Sequence, residues 1–331
     1  MAVLVTGGAG YIGSHTVYEL LKKYSKSDIV VVDNLSTGYY EAVPNGVNFY
    51  ICDLRDDDKF SEILKKHDVK AIIHFAADSI VAQSMSDPLK YYGNNVVSSL
   101  KILNHMLENN IDKIVFSSSA AVYGHVERQP IIESETKLPV NPYGETKSVI
   151  ENMFSWACKA YGIRCITLRY FNAAGAHESG EIGENHIPET HLIPLVLQVA
   201  QRKRSVINIF GNDYNTEDGT CVRDYIHVSD LANAHILALD RLFSGQLGGV
   251  YNLGTGKGYS VMEVVEACRR VTSKLIPTIT APKREGDPAV LLASGELAAK
   301  DLGFRPRITS IDDIIKSAWD FMLRHPDGYR R

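Results

Sequence analysis

Three features of the sequence predict an α/β fold in which a doubly wound parallel sheet is followed by a smaller mixed α/β lobe. Short β-branched runs alternate with amphipathic helical patterns through the first half of the chain. A glycine-rich turn stands directly between the first run and the first helical pattern. Beyond Asn172 the alternation loosens into polar stretches rich in Gly, Glu and Pro. Buried strands joined by helices make right-handed βαβ crossovers, which place a parallel sheet between two helical layers.

The strand-like runs are Val3–Thr6, Ile29–Asp33, Val47–Cys52, Lys70–Phe75, Lys113–Ser117 and Arg164–Arg169. Between them Phe60, Ile63, Leu64 and His67 recur at helical spacing, and Val96, Leu100, Leu103 and Leu107 form a second apolar stripe. Residues 173–191 and 205–225 read as irregular. Order returns at Ser260, which forms a capping box with Glu263 ahead of Val261, Val264, Val265 and Cys268. Ile311, Ile314, Ile315, Ala318, Trp319 and Met322 mark a last helix. The expected division is a Rossmann-like doubly wound domain at 1–172 and a smaller, less regular second lobe at 173–331. Tyr251-Asn252-Leu253 is a candidate strand returned to the main sheet.

Length and composition support two globular domains: 331 residues at roughly 150 per domain. The 45% apolar and 22% charged content excludes disordered and fibrous classes. Lys and Arg number 35 against 39 Asp and Glu, a net charge of −4, so nothing in bulk draws the chain to nucleic acid or anionic lipid. An anionic ligand must be held by a few local cations. The five cysteines form no C-x-x-C pair and read as reduced thiols. Met1–Thr6 lacks the basic start and long apolar run of a secretion signal, and a cytoplasmic location is expected.

Gly7-Gly8-Ala9-Gly10-Tyr11-Ile12-Gly13 follows the first strand and opens the first helix. A dinucleotide site wants glycine there for a tight turn, close backbone approach to the pyrophosphate and close helix–strand packing. The free N–H groups at the helix start then hold the phosphates. By itself such a string is also an ordinary tight turn. Asp33 adds weight, because it ends the second strand 20 residues after Gly13, where a carboxylate meets the ribose hydroxyls. It would repel a 2′-phosphate, and Asn34-Leu35-Ser36 offers no arginine, so NAD is preferred over NADP.

Tyr143 and Lys147 share a helix face just after Pro142, a good helix-start residue. A phenol titrates near pH 10, and bringing it to neutrality requires about 4 kcal/mol of preferential phenolate stabilisation. Neighbouring positive charge supplies it, from the lysine and from the oxidised nicotinamide ring when bound, which predicts a lowered Tyr143 pKa. A bare Tyr-x-x-x-Lys is equally an exposed pair on a surface helix. Its position after the strand ending Phe116-Ser117-Ser118-Ser119 favours the catalytic reading.

The glycine loop, Asp33, Ser117-Ser118-Ser119, Tyr143 with Lys147, and Arg169-Tyr170-Phe171-Asn172 together resemble the extended short-chain dehydrogenase/reductase family. Nearly the whole chain is similar to its UDP-glucose (UDP-galactose) 4-epimerase branch. Matching blocks include Val5–His15, Tyr91–Val96, Arg169–His177, Ile209–Asp213, Glu217–Val228, Tyr251–Gly254 and Arg284-Glu285-Gly286-Asp287. The resemblance implies tightly bound NAD and interconversion of UDP-galactose and UDP-glucose by transient oxidation at the sugar C4. It casts Tyr143 as the proton acceptor, Lys147 as its support and Ser119 as the orienting hydroxyl. It places Gly7, Gly10, Tyr11, Ile12, Gly13, Asp33, Asn34, Ser36, Asp53, Leu54, Phe75, Ala76, Ala77, Asn95, Ser117 and Tyr170 around the cofactor. For the substrate it implies Arg223 and Arg284 on the diphosphate, Asp287 on the uridine ribose, Phe210 beside the base, and Asn172 and Leu192 near the diphosphate.

Leu291 falls where the family meets the sugar C2 substituent, and its intermediate size leaves N-acetylated UDP-sugars open. Ser79 replaces a lysine that many members aim at the cofactor phosphates. Ala120 and Ala121 stand where nucleotide-sugar dehydratases carry an acid, which favours oxidation and re-reduction over elimination. A 4-epimerase of another UDP-sugar, or a silent NAD-sensing protein, are the rival readings. The resemblance also suggests a homodimer. His177, Glu181, Glu184, His186, Glu189 and His191 match no compact zinc spacing, and no metal is expected.

Overall fold

The structure is a computed structural model that describes residues 1–284 and 286–329; Glu285 of the Arg284–Asp287 block lies outside the described residues. In chain order the strands are β1 Ala2–Thr6, β2 Ile29–Asp33, β3 Asn48–Ile51, β4 Val69–His74, β5 Lys113–Ser119, β6 Arg164–Tyr170, β7 Asn172–Ala174, β8 Ile207–Phe210, β9 Val222–His227, β10 Gly249–Leu253, β11 Gly258–Ser260, β12 Thr278–Ala281 and β13 Val290–Leu291. The α-helices are α1 Tyr11–Leu20, α2 Asp57–Lys66, α3 Val81–Ser86, α4 Pro88–Tyr91, α5 Val97–Glu108, α6 Pro142–Tyr161, α7 Leu192–Ala200, α8 Val228–Phe243, α9 Val261–Thr272, α10 Glu296–Asp301 and α11 Ile311–Arg324.

Seven parallel strands form the main sheet in the order β10-β6-β5-β4-β1-β2-β3. Its strands are rich in Val and Ile because both faces are covered. Val3, Val5, Val31 and Ile73 face a core completed by Leu20 of α1 and Leu231, Leu239 and Leu242 of α8. Leu4, Val30 and Ile72 face the opposite core, completed by Phe60 of α2, Ile102 of α5, and Ile150 and Phe154 of α6. Strand order reverses beside β1, which opens a crevice at the carboxyl ends of β1 and β4, the usual place for a ligand in such sheets. The edge strand β10 pairs with β6 although it lies far down the chain.

The chain leaves the main sheet at Tyr170 and enters a second sheet two residues later, where β7 pairs with β9, itself flanked by β11 and β13. A separate core of α7, α9 and α11 packs beneath it through Val196, Leu197, Val264, Val265, Ile314 and Ile315. The Ser260–Glu263 capping box opens α9 as its sequence requires.

The α5 stripe needs correction. Leu103 is buried, but Leu100 and Leu107 are 45% and 40% exposed. The buried residues of α5 are Ser98, Ser99, Ile102, Leu103, His105 and Met106. Two inward serines hide the buried face from a search for apolar spacing, and Ser99 is there because its hydroxyl meets His74 Nε2 at 2.9 Å.

Candidate active site

A cleft of about 1290 Å³ runs from the loops after β1 and β2 to the second sheet. That exceeds the roughly 300–1,000 Å³ of common ligand pockets, leaving room for two ligands end to end.

At one end lies the glycine loop. Gly7 has φ 71°, and a Cβ on it would stand 2.6 Å from Ala76 N. A Cβ on Gly13 would stand 2.1 Å from Gly7 O. Side chains are excluded, so the loop backbone lies bare against the start of α1, whose N-terminal groups face the cleft. Asp33 closes this end. Its carboxylate accepts from Ala9 N at 3.0 Å and Leu35 N at 2.8 Å. Burial pushes its pKa up, and those two donors pull it part way back. Asp53 is gripped bidentately by Arg55 at 2.8 and 2.6 Å, which holds its carboxyl well below the usual range and neutralises the nearest arginine. A dinucleotide with a free 2′-hydroxyl fits this geometry.

At the centre, Asn141 caps α6 by accepting from Gly144 N at 2.9 Å, and Pro142 takes the first helical position. Tyr143, next in the chain, and Lys147, one turn on, face the cleft beside Ser117 and Ser119 of β5. Lys147 Nζ donates to Ser117 O at 2.8 Å and sits 5.9 Å from the Tyr143 ring centre. Ser119 Oγ accepts from Ala121 N at 3.1 Å, which fixes its rotamer. Ser117 Oγ is hydrogen-bonded to the Tyr170 hydroxyl.

The lowered phenol expected from this pairing is not what the polypeptide produces by itself. Burial pushes the Tyr143 pKa up, and the Ser119 hydroxyl pulls it part way back. Burial also pushes Lys147 down to about 7, against the pull of Glu151. A half-neutral ammonium gives the phenolate little help until a cationic ligand arrives.

At the far end Arg223 donates to Asp287 Oδ1 at 2.8 Å, and the Arg284 guanidinium lies 4.0 Å above the Phe210 ring centre. Asn172, Leu192 and Leu291 complete that wall, and Ser79 faces the cleft nearer the glycine loop. Asp224 does not pair with Arg223. It is buried, accepting from Thr255 N, Gly256 N and Ala293 N at 2.8–3.1 Å.

Gly7, Gly10, Tyr11, Ile12, Gly13, Asp33, Asn34, Ser36, Asp53, Leu54, Phe75, Ala76, Ala77 and Tyr170 all line the cleft. Asn95 does not. It is fully buried behind the wall, exchanging hydrogen bonds with the Asp78 backbone and donating to Thr146 Oγ1 at 3.2 Å. Its part is to brace α6, since Thr146 Oγ1 also donates to Tyr143 O at 2.8 Å.

Sequence reasoning missed the buried group behind Lys147. Glu151 accepts from Ser118 Oγ at 2.6 Å and from Arg169 Nε and Nη2 at 2.8 and 2.5 Å. Arg169 also reaches the Tyr123 hydroxyl, which donates to Asn252. The available signal was Glu151 four residues beyond Lys147 on one helix face. His186, Glu189 and His191 line the cleft as well. The fold brings Glu184, His186, Glu189 and His191 together. His177 instead packs against Tyr18, and Glu181 pairs with Arg324.

Residues 3–254 match the NAD dependent epimerase/dehydratase family. The UDP-glucose 4-epimerase of Halalkalibacterium halodurans is 52% identical over 329 residues, covering 99% of this chain and 98% of that protein. A crystal structure of a UDP-glucose 4-epimerase superposes with a TM-score of 0.98 at 50% identity and full coverage of both chains. The Bifidobacterium longum UDP-glucose 4-epimerase, solved with NAD+ and UDP, superposes at 0.92 with 38% identity, covering 99% of this chain and 100% of that one.

Proposed function

The chain belongs to the NAD dependent epimerase/dehydratase family, and on that premise we propose that it interconverts UDP-galactose and UDP-glucose at the sugar C4. The observation that carries this reading is the placing of Tyr143, Lys147 and Ser119 midway along one cleft. A dinucleotide cradle lies at one end and a paired-arginine wall at the other. NAD, when bound, supplies a hydride acceptor and donor.

Residues 1–172 supply the cofactor site and the reactive groups, and residues 173–331 the grip on the nucleotide. Gly7, Gly10 and Gly13 leave the pyrophosphate bare backbone, and Asp33 takes the ribose hydroxyls. Tyr143 accepts the proton of the sugar 4-hydroxyl and later returns it, with Ser119 orienting that hydroxyl. Lys147, held by Ser117 O, supports the phenolate. An epimerase must present both faces of the sugar carbon to one cofactor, so the sugar cannot be gripped in a single orientation. Affinity therefore rests on the nucleotide: Arg223 and Arg284 for the diphosphate, Phe210 for the base, Asp287 for the ribose. Asn172 and Leu192 border the diphosphate, and Leu291 borders the C2 substituent.

Tyr143→Phe tests this assignment. The purified variant should retain NAD while its turnover of UDP-galactose to UDP-glucose, with no cofactor added, falls by about 10²–10⁴. Turnover matching the wild type would remove Tyr143 from the reaction.

The protein acts in the cytoplasm as a homodimer. No helix among the described residues is long and apolar enough to cross a membrane. The outer face of α5 and α6 carries Val97, Leu100, Leu107, Trp156 and Tyr161, all 39–69% exposed. A second copy of that face is the partner such a surface suits.

A further inference from the structure

Between β7 and α7, Glu184, His186, Glu189 and His191 converge, and the reaction proposed above uses none of them. One ligand-capable atom from each lies within 4.8 Å of all the others. His186 Nδ1 stands 3.2 Å from Glu184 Oε1 and 3.7 Å from Glu189 Oε2. His191 Nδ1 stands 2.6 Å from Glu184 Oε1 and 3.4 Å from Glu189 Oε1. Four ligands at about 2.0–2.1 Å from a tetrahedral ion would be separated by roughly 3.4 Å, close to three of these four distances.

A pair of His–Glu ion pairs is the competing account of the cluster, and it would aim each imidazole N–H at a carboxylate oxygen. Glu184 Oε1 and His186 Nδ1 are instead buried without an aligned hydrogen bond, although Glu184 Oε1 lies 3.2 Å from His186 Nδ1 and 2.6 Å from His191 Nδ1. The Glu184 side chain is only 5% exposed. These atoms approach one another without hydrogen-bond alignment, as donors do around a shared centre. The surrounding backbone fixes the array. Glu189 Oε1 accepts from Thr190 N at 2.7 Å and His191 N at 2.9 Å, so its carboxylate is oriented before any ligand arrives.

We propose that these four side chains form a structural site for a divalent ion of the zinc class. Two imidazoles and two carboxylates suit a borderline cation, whereas Mg²⁺ and Ca²⁺ take sets of six or more oxygens. Four protein ligands close the coordination sphere, which marks a structural rather than a catalytic ion. The position gives the ion a task. The His186 ring packs edge-on against Tyr11 of the cofactor loop, with centroids 6.1 Å apart, and His191 immediately precedes Leu192 at the start of α7. The ion would tie the cofactor end of the cleft to the substrate lobe.

This inference is independent of the epimerase reading, and its test reads metal rather than turnover. NAD-bound protein is stripped with a chelator, titrated with Zn²⁺ or Co²⁺ alone, gel-filtered and analysed by plasma mass spectrometry. The wild type should retain one equivalent, raise its unfolding temperature up to that equivalent, and give with Co²⁺ the intense visible bands of a four-coordinate ion. His186→Gln and His191→Asn should lose all three signals. His191 is half exposed, so its variant carries the test should His186→Gln fail to fold. Failure of the wild type to retain either ion would overturn the proposal. So would equal retention by the wild type and His191→Asn, which would put the metal on other side chains.

Discussion

Lys147→Met should make the cofactor-free protein more stable while disabling it. The Lys147 side chain is almost fully buried, and burial brings its pKa from the ordinary 10.5 to about 7. That difference corresponds to a destabilisation of at most about 5 kcal/mol at neutral pH. Methionine fills similar space without the charge. Against the gain stands the lost hydrogen bond to Ser117 O, whose unpaired carbonyl costs about 1–3 kcal/mol. The net expectation is a gain of about 2 kcal/mol at pH 7.

The sign of the pH dependence follows from the same displacement. Between pH 7 and 10.5 the unfolded wild type holds a proton that the folded protein has released. Wild-type stability therefore rises with pH across that window, and the penalty is fully present below it. The methionine variant has no such group, so its advantage should shrink between pH 7 and pH 10. Urea unfolding of NAD-free protein at the two pH values measures both quantities, and turnover should fall by about 10²–10⁴. A variant no more stable than wild type at pH 7, or an advantage equal at both pH values, would refute the reasoning.

Glu151→Gln should lower stability by about 3–5 kcal/mol, because it leaves the buried Arg169 guanidinium without its counter-charge. Replacing Glu151 and Arg169 together by methionine should recover most of that loss in the same urea assay. Gly13→Ala should yield folded protein without NAD, since the new methyl would sit 2.1 Å from Gly7 O; its 260/280 nm absorbance ratio should fall to that of bare polypeptide. Trp156→Glu puts a charge on a side chain that is 69% exposed, and should convert a dimer to monomer in sedimentation without unfolding it.

The glycine loop and Asp33 were legible because each obeys a local steric or electrostatic rule that a one-dimensional string records. Gly13 is glycine since Gly7 O occupies the space of a side chain. Asp33 ends a strand whose Val-rich run announces itself. Tyr143 and Lys147 were legible because one helical turn separates them. What escaped was built across the fold. The partners of Arg169 come from α6, from Tyr123 and, through it, from Asn252 on a strand that returns to the sheet edge part-way through the second lobe. No spacing rule links those positions.

Asn95 shows a second way in which the fold adds what the chain does not display. Its place in a family block implies contact with the cofactor, while its amide hydrogen-bonds the Asp78 backbone and Thr146, whose hydroxyl in turn holds the Tyr143 carbonyl. The convergence of Glu184, His186, Glu189 and His191 was not legible in the sequence for a related reason. Compact metal motifs are recognised by regular spacing along a helix or knuckle, whereas this loop turns so that residues 2, 5 and 7 positions apart face one centre. A sequence displays groups that need particular neighbours in the chain. Where a group needs neighbours only in space, the chain carries the residue types without the geometry, and the polar loop between β7 and α7 is where that distinction matters most for this cleft.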